Sequence, residues 1–485
     1  MTSVESPMPE PRPRRQRSAF AFSRPIDRAV LLTCVALLCM IALTLLLGDR
    51  VGVTLERVSP LGVARATAPI KIQFSEAMER ETLQGRITLD PAVEGTQYWS
   101  GNTLIFQPNA ALMPGTDYTV TLAAGGRSRS GREVLAEYQF SFSVRQPEVA
   151  YLAPADGVPI NIWIATPGVE GSERQLTFSP GGIYDFAVSP DGQYIAFSET
   201  NPSASTEDIK VIDLETGSLR QVTNCADASC TNPVWRPDGQ VLAYERVDFN
   251  TGIEGVGISP TRVWLIDLTQ EPATTTPLFS DTQILGYNPQ WSADGSRIAI
   301  FDRGSASILI YDFRDDSGLS IPTRAGTSGA LAPDGLSLIF PEVVLREGQE
   351  ARTFLQVADL TANAVSPLPG TSDFASDEEA RWSPDGSQVM VRRRYLDERY
   401  TRGHQLALID MATGQVRDLA QDDRFSNGFF SWDATGSQLV VQRLSLVNDE
   451  GQPDNLARPQ IWTLDLASGE FTFVVNNAFY PRWVP

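Results

Sequence analysis

The chain holds a single histidine, His404, so any nucleophile–base pair that needs an imidazole has to be built on it. No Gly-x-Ser-x-Gly elbow, no His-Glu-x-x-His pair and no phosphate loop ending in Gly-Lys occurs. The usual signatures of serine hydrolases, zinc peptidases and nucleotide hydrolases are therefore missing. Asp312, Asp315 and Asp316 lack the alternation and the distal glutamate of a calcium loop and read as a solvated turn. Chemistry in this chain would rest on carboxylates alone.

Two other groups stand out. Arg392, Arg393, Arg394, Tyr395, Arg399, Tyr400, Arg402 and His404 form a basic and aromatic run in an otherwise acidic chain of net charge −20. Arginine and tyrosine are favoured at binding hot spots, so Arg392, Arg393, Arg394, Tyr395 and Arg399 are the candidate contacts for an acidic partner or anionic polymer. The competing reading is a strand whose alternate arginines face water and pair with Asp397 and Glu398. Cys225 and Cys230, five residues apart, suit a local disulfide in an oxidising compartment. Their spacing also allows a free pair; a metal site would need a second pair of ligands, which is absent.

The elements that carry these groups are set by a repeat. The phrase Trp382-Ser383-Pro384-Asp385-Gly386 recurs in variant form from Val188, Trp235, Trp291, Leu331 and Trp432. Proline presets φ in a tight turn, aspartate bonds the local backbone and glycine takes the left-handed conformation, so each copy predicts a hairpin turn. The preceding tryptophan is expected to wedge between neighbouring sheets. A second strand such as Tyr194-Ile195-Ala196-Phe197, a third such as Val263-Trp264-Leu265-Ile266 and a shorter fourth follow the phrase. Four short strands per repeat predict the blade of a β-propeller.

The two ends of the repeat region are complementary. Phe479-Tyr480-Pro481-Arg482-Trp483 is a first strand without successors, and strands near 149–152, 161–165 and 174–177 lack a first. A blade assembled from both ends closes a ring of seven and removes its free edges. The Trp-Ser-Pro-Asp-Gly phrase, the Ile-Ala-Phe strand and the Arg-Gln-Leu-Thr strand resemble the WD40-like repeats of the bacterial TolB type over residues 147–485. That resemblance implies a propeller and an envelope protein interaction. It transfers no particular partner, because the N-terminal domain of the TolB type is absent here.

Residues 56–146 follow another pattern. Ile70-Lys71-Ile72-Gln73-Phe74 and Tyr138-Gln139-Phe140-Ser141-Phe142 alternate as half-buried strands do, and Leu112-Met113-Pro114-Gly115-Thr116-Asp117-Tyr118 has the form of a tyrosine corner. With Phe74-Ser75-Glu76-Ala77-Met78, the segment resembles the bacterial Ig-like domains of S-layer and other surface proteins. The resemblance implies a spacer or adhesive module, here a stalk.

Residues 1–28, rich in Pro, Ser and Arg, are expected to be disordered and cytoplasmic. Residues 29–48 form an apolar stretch long enough for a transmembrane helix, preceded by six arginines. A cleaved signal peptide would have a shorter core and an Ala-x-Ala-like site, and a lipoprotein would have small residues before Cys39. A retained anchor with everything after it extracytoplasmic is the expectation.

The fold class expected is all-β: a transmembrane helix, an Ig-like β-sandwich and a seven-bladed β-propeller with a split closing blade. The function expected is binding or scaffolding, with a protein or cell-envelope polymer as partner and no cofactor. A body this acidic repels phosphate backbones, which excludes nucleic acid. The alternative is an extracellular glycan- or peptide-active enzyme with a carboxylate or metal site in the channel.

Overall fold

The computed structural model describes residues 25–47, 52–250, 257–344, 352–448 and 450–485. Most of the segment expected to be disordered, residues 1–24, lies outside them. Its last four residues are helical and open α1 (Pro25–Leu47), where proline suits the first position because no intrahelical N–H is needed there. Consecutive described side chains of α1 run from Arg28 to Leu43. Among the described residues no helix is long and apolar enough to cross a membrane, so the expected span is not supported by the structure.

The next domain is a sandwich of two four-stranded sheets. One contains Ile70–Phe74 and Thr103–Pro108, the other Asp117–Leu122 and Tyr138–Val144. Alternation sends Ile70, Ile72, Phe74, Leu104, Val120, Leu122 and Phe142 into one core between them. The Tyr118 hydroxyl accepts the Met113 amide at 3.1 Å, which ties the chain where it crosses between sheets.

Beyond residue 147 the chain forms antiparallel four-stranded units. Two of them merge into one eight-stranded sheet through a single parallel bridge, Glu207 to Ser229. The unit made of Glu148–Ala153, Asn161–Ala165 and Arg174–Gln175 takes its remaining strand, Phe479–Val484, from the far end of the chain. Trp483 pairs with Val149, and Arg482 with Ala150.

The repeated phrase makes the turn its composition predicts, and its serine has a role too. In Ser189-Pro190-Asp191-Gly192 the Gly192 amide donates to the Ser189 carbonyl at 2.9 Å with φ of +69°. The Ser189 hydroxyl donates to Asp191 at 2.6 Å and accepts the Tyr194 amide at 2.8 Å. Ser292 and Ser383 repeat both bonds.

The tryptophans do more than fill space. Nε1 of Trp235, Trp291, Trp382 and Trp432 donates to the carbonyl of Ala187, Val234, Ala330 and Arg381, at 3.0, 3.3, 3.1 and 3.2 Å. Each acceptor is the residue just before the aligned position of the preceding unit, so one bond couples each such unit to the one before it. Trp483 at the seam is the exception, buried with no acceptor for Nε1 among the described residues.

Cys225 and Cys230 are bonded in the structure, with the sulfurs 1.93 Å apart. The bridge lies in the core shared by two neighbouring units.

Trp432→Phe keeps most of the apolar surface and deletes the bond to Arg381. It is expected to cost about 1–2 kcal/mol, because a half-buried carbonyl loses its donor, against about 3–5 kcal/mol for Trp432→Ala. Urea unfolding of the two variants measures the difference; a Trp432→Phe variant as stable as the parent would mean the indole N–H contributes nothing.

Candidate functional site

The first strand of every unit meets a common cavity of about 920 Å³. Phe186, Asn232, Asn288, Leu331, Glu378, Phe429 and Tyr480 line it, one from each unit. The register of the first strand against the second slips at Tyr184, Asn232-Pro233, Asn288-Pro289, Glu378, Gly428-Phe429 and Tyr480-Pro481. Such bulges re-aim side chains. Asn232, Asn288 and Tyr480 sit there with φ of 53°, 58° and 56°, tolerable for asparagine and strained for tyrosine.

These bulges are bonded from unit to unit. Glu245 accepts the Asn288 amide at 2.7 Å and the Asn232 side-chain amide at 2.7 Å. Gln442 Oε1 accepts the Tyr480 amide at 3.0 Å, and Asp185 accepts the Asn232 amide at 2.7 Å and the Ser198 hydroxyl at 2.5 Å. Burial, together with the Glu245 and Glu207 carboxylates, pushes the Asp185 carboxyl up to about 6 despite those bonds. The sequence did carry a signal for the bulges, because Asn232-Pro233-Val234-Trp235, Asn288-Pro289-Gln290-Trp291 and Tyr480-Pro481-Arg482-Trp483 share an x-Pro-x-Trp frame.

The basic run does not form one binding face. Arg392, Arg393, Arg394 and Tyr395 end the strand Gln388–Tyr395, longer than the sequence suggested, so its period of two sends them to opposite faces. Arg393 is 2% exposed and makes a double bond-pair with Asp377, at 2.7 and 2.8 Å, plus one to the Gly370 carbonyl. Tyr395 is buried and donates to Asp418 at 2.7 Å. Arg399 caps that ring with its guanidinium 3.8 Å from the centroid and pairs with Asp397 at 2.7 Å. Arg394 shares the face of Arg392 and is half-buried. Of the five candidates, Arg393 and Tyr395 are thus structural, and only Arg392 lines the cavity.

Arg392 and His404 flank one carboxylate. Glu378 lies 2.7 Å from Arg392 Nη2 and 3.0 Å from His404 Nε2, the latter an ion-pair approach without hydrogen-bond alignment. His404 and Arg392 hold the Glu378 carboxyl down, to about 2. Asp312 is not solvated: it is buried beneath Arg297 and Arg314, each at 2.8 Å, which hold its carboxyl far below the usual range. Among the described residues no group of three or more His, Cys, Asp or Glu is arranged to hold a metal ion.

One position shows what the Asp377–Arg393 pair supplies. In the next unit Arg443 stands opposite Asn427, in the register of Arg393 opposite Asp377. Arg443 is 4% exposed, packed on Phe425 and Phe471 at 4.0 Å each, and its nearest carboxylate is Asp422 at 3.9 Å. Burial lowers its guanidinium to about 10, while Asn427 Oδ1 and Arg443 Nε have no hydrogen-bond partner among the described residues.

Residues 49–144 match the family model described as a bacterial Ig-like domain, and residues 181–301 match the N-terminal β-propeller domain of prolyl oligopeptidase. No curated protein sequence matches the chain. Among solved structures, TolB from Acinetobacter baumannii is 15% identical, with 82% of this chain and 83% of that chain covered and a TM-score of 0.40. The β-propeller domain of the Trilobed protease from Pyrococcus furiosus is 16% identical, with 74% and 92% covered and a TM-score of 0.43. An oligogalacturonate lyase from Vibrio parahaemolyticus is 12% identical, with 68% and 86% covered and a TM-score of 0.45.

Two predictions follow from the charges. Because Asp185 titrates higher in the fold than in the unfolded chain, it destabilises the fold as pH rises from about 4 toward 6. Asp185→Asn keeps an acceptor for the Asn232 amide, so it should be more stable than the parent by on the order of 2 kcal/mol at about pH 7.5 and equal to it near about pH 3.5. Thermal melts at both pH values decide, and a gap independent of pH would contradict the assignment. Asn427→Asp should give Arg443 a buried partner and raise stability by about 1 kcal/mol in urea unfolding; a loss would show that Arg443 needs no carboxylate. The chain thus carries a bacterial Ig-like domain over residues 49–144, followed by a β-propeller.

Proposed function

We propose that the chain is a membrane-anchored, extracytoplasmic binding protein, in which the Ig-like domain presents a seven-bladed propeller whose channel takes a segment of a protein partner. The observation that carries this reading is the cavity wall. It combines aromatic side chains, proline and paired charges, the mixture that gives an interface apolar contact with a few fixed polar groups.

The anchor reading rests on the apolar sequence 29–47. The arginines before it favour a cytoplasmic N-terminus. An enzymatic reading would use the carboxylates of the wall. Glu378 is engaged by Arg392 and His404 and Glu379 by Arg381, so both act as parts of the wall.

A photo-crosslinking residue placed at Phe429, in the intact protein in its own membrane, should capture a discrete partner. The same residue at Val365, exposed on an outer strand, should not. Equal capture from both positions would remove the channel from the account. Turnover of an extracellular glycan or peptide that is abolished by Glu378→Gln would replace it with the enzymatic reading.

A further inference from the structure

The charges of the cavity wall are nearly all spoken for. Glu378 is paired with Arg392 and His404, and Glu379 with Arg381 at 3.0 Å. Arg482 lines the same cavity and makes no ion pair among the described residues. Its guanidinium instead lies 4.5 Å from the centroid of Tyr480. Stacking on a ring face leaves the edge N–H groups of a guanidinium free, and that edge matches a carboxylate in two parallel bonds. A chain of net charge −20 therefore lines its cavity with a surplus cation.

The ring beneath Arg482 is held with unusual firmness. Tyr480 has a φ of 56°, a left-handed backbone that a bulky residue adopts only where the surroundings impose it. Gln442 accepts its amide at 3.0 Å, and Phe186 and Phe429 meet its ring edge-on at 5.7 and 5.1 Å. Phe429 is 40% exposed, so an aromatic shelf open to the cavity lies next to a cation with free donors. Polar groups fixed by strain around an open apolar surface are what a recognition site requires.

Resting on the channel-binding reading above, we propose that the segment taken by the channel is an acidic peptide, in which a carboxylate pairs with Arg482 and an adjacent aromatic or aliphatic side chain packs on Phe429 and Tyr480. A peptide fits better than an acidic glycan because the shelf offers aromatic edges and one cation, not a row of cations. The long-range field of the acidic chain opposes such a ligand. Its association should therefore quicken with added salt while the contact itself keeps its preference for charge.

The test uses the full-length protein in detergent and three capped hexapeptides that differ only at the centre: Asp-Phe, Asn-Phe and Lys-Phe. Tryptophan fluorescence reports binding, and thermal melting confirms that each variant is folded. Asp-Phe should bind at least about ten-fold tighter than Asn-Phe, the range of a charge-assisted pair. Arg482→Gln should level the two, and Arg482→Glu should turn the preference toward Lys-Phe. Equal affinity for Asp-Phe and Asn-Phe in the parent protein, or an unchanged preference in Arg482→Gln, overturns the carboxylate assignment and leaves the channel reading standing. No binding by any of the three overturns both readings, and tighter binding of an alginate oligomer in place of the peptides overturns the choice of a peptide.

Discussion

The pairing of Phe479–Val484 with Glu148–Ala153 is the constraint on which the remaining structure depends. It brings the last strand of the chain beside the strand that begins the propeller and so leaves neither as an exposed edge. Tyr480 and Arg482 reach the cavity only because that strand is in place. Without the seam the cavity loses part of its wall, and the bond from Gln442 to the Tyr480 amide has nothing to hold. The Ig-like domain lies against the same place. Arg145 Nη2 is 3.4 Å from the Pro485 carbonyl and Arg65 is 3.8 Å from Glu215. A Cβ on Gly192 would meet the Pro485 carbonyl at 2.9 Å and Arg65 Cδ at 3.1 Å, so a turn, the seam and the neighbouring domain leave room there only for glycine.

Around the ring, coupling is made of small repeated units. Each tryptophan bond joins one unit to the backbone of the unit before it, and each bond is worth on the order of 1 kcal/mol. The acceptor is a carbonyl beside the cavity, so the packing of the units and the position of the wall are fixed by the same contact. This explains why a phrase that looks like a turn signal also governs the site: its serine, aspartate and glycine fold the hairpin, and its tryptophan registers the wall.

The architecture was legible because it repeats. Proline, aspartate and glycine impose a turn by local chemistry, and the incomplete last strand could be matched to the three strands at the front. The Arg392–Arg399 run was misread for a physical reason. Charge density in a sequence does not say which residues a strand of period two turns inward, and Arg393 is paired with Asp377, sixteen residues earlier. The cavity-facing bulges were also missed, although Asn232-Pro233 and Asn288-Pro289 announced them, because the frame was read from the tryptophan forward and not from the proline. Arg482 could not be singled out by type, since what distinguishes it is the lack of an acid beside it in a wall where the other charges are paired.

Hydrogen exchange of the intact protein under native conditions tests the seam most directly. If the seam closes the ring as a structural unit, the amides of residues 148–153 and 479–484 should exchange as slowly as those of Arg297–Asp302 and Gln388–Tyr395, inner strands of units that do not hold the terminal strand. All would then open only with global unfolding. Exchange at the seam that is faster by orders of magnitude, with the other inner strands still protected, would mean that the terminal strand frays freely and that the ring does not depend on it.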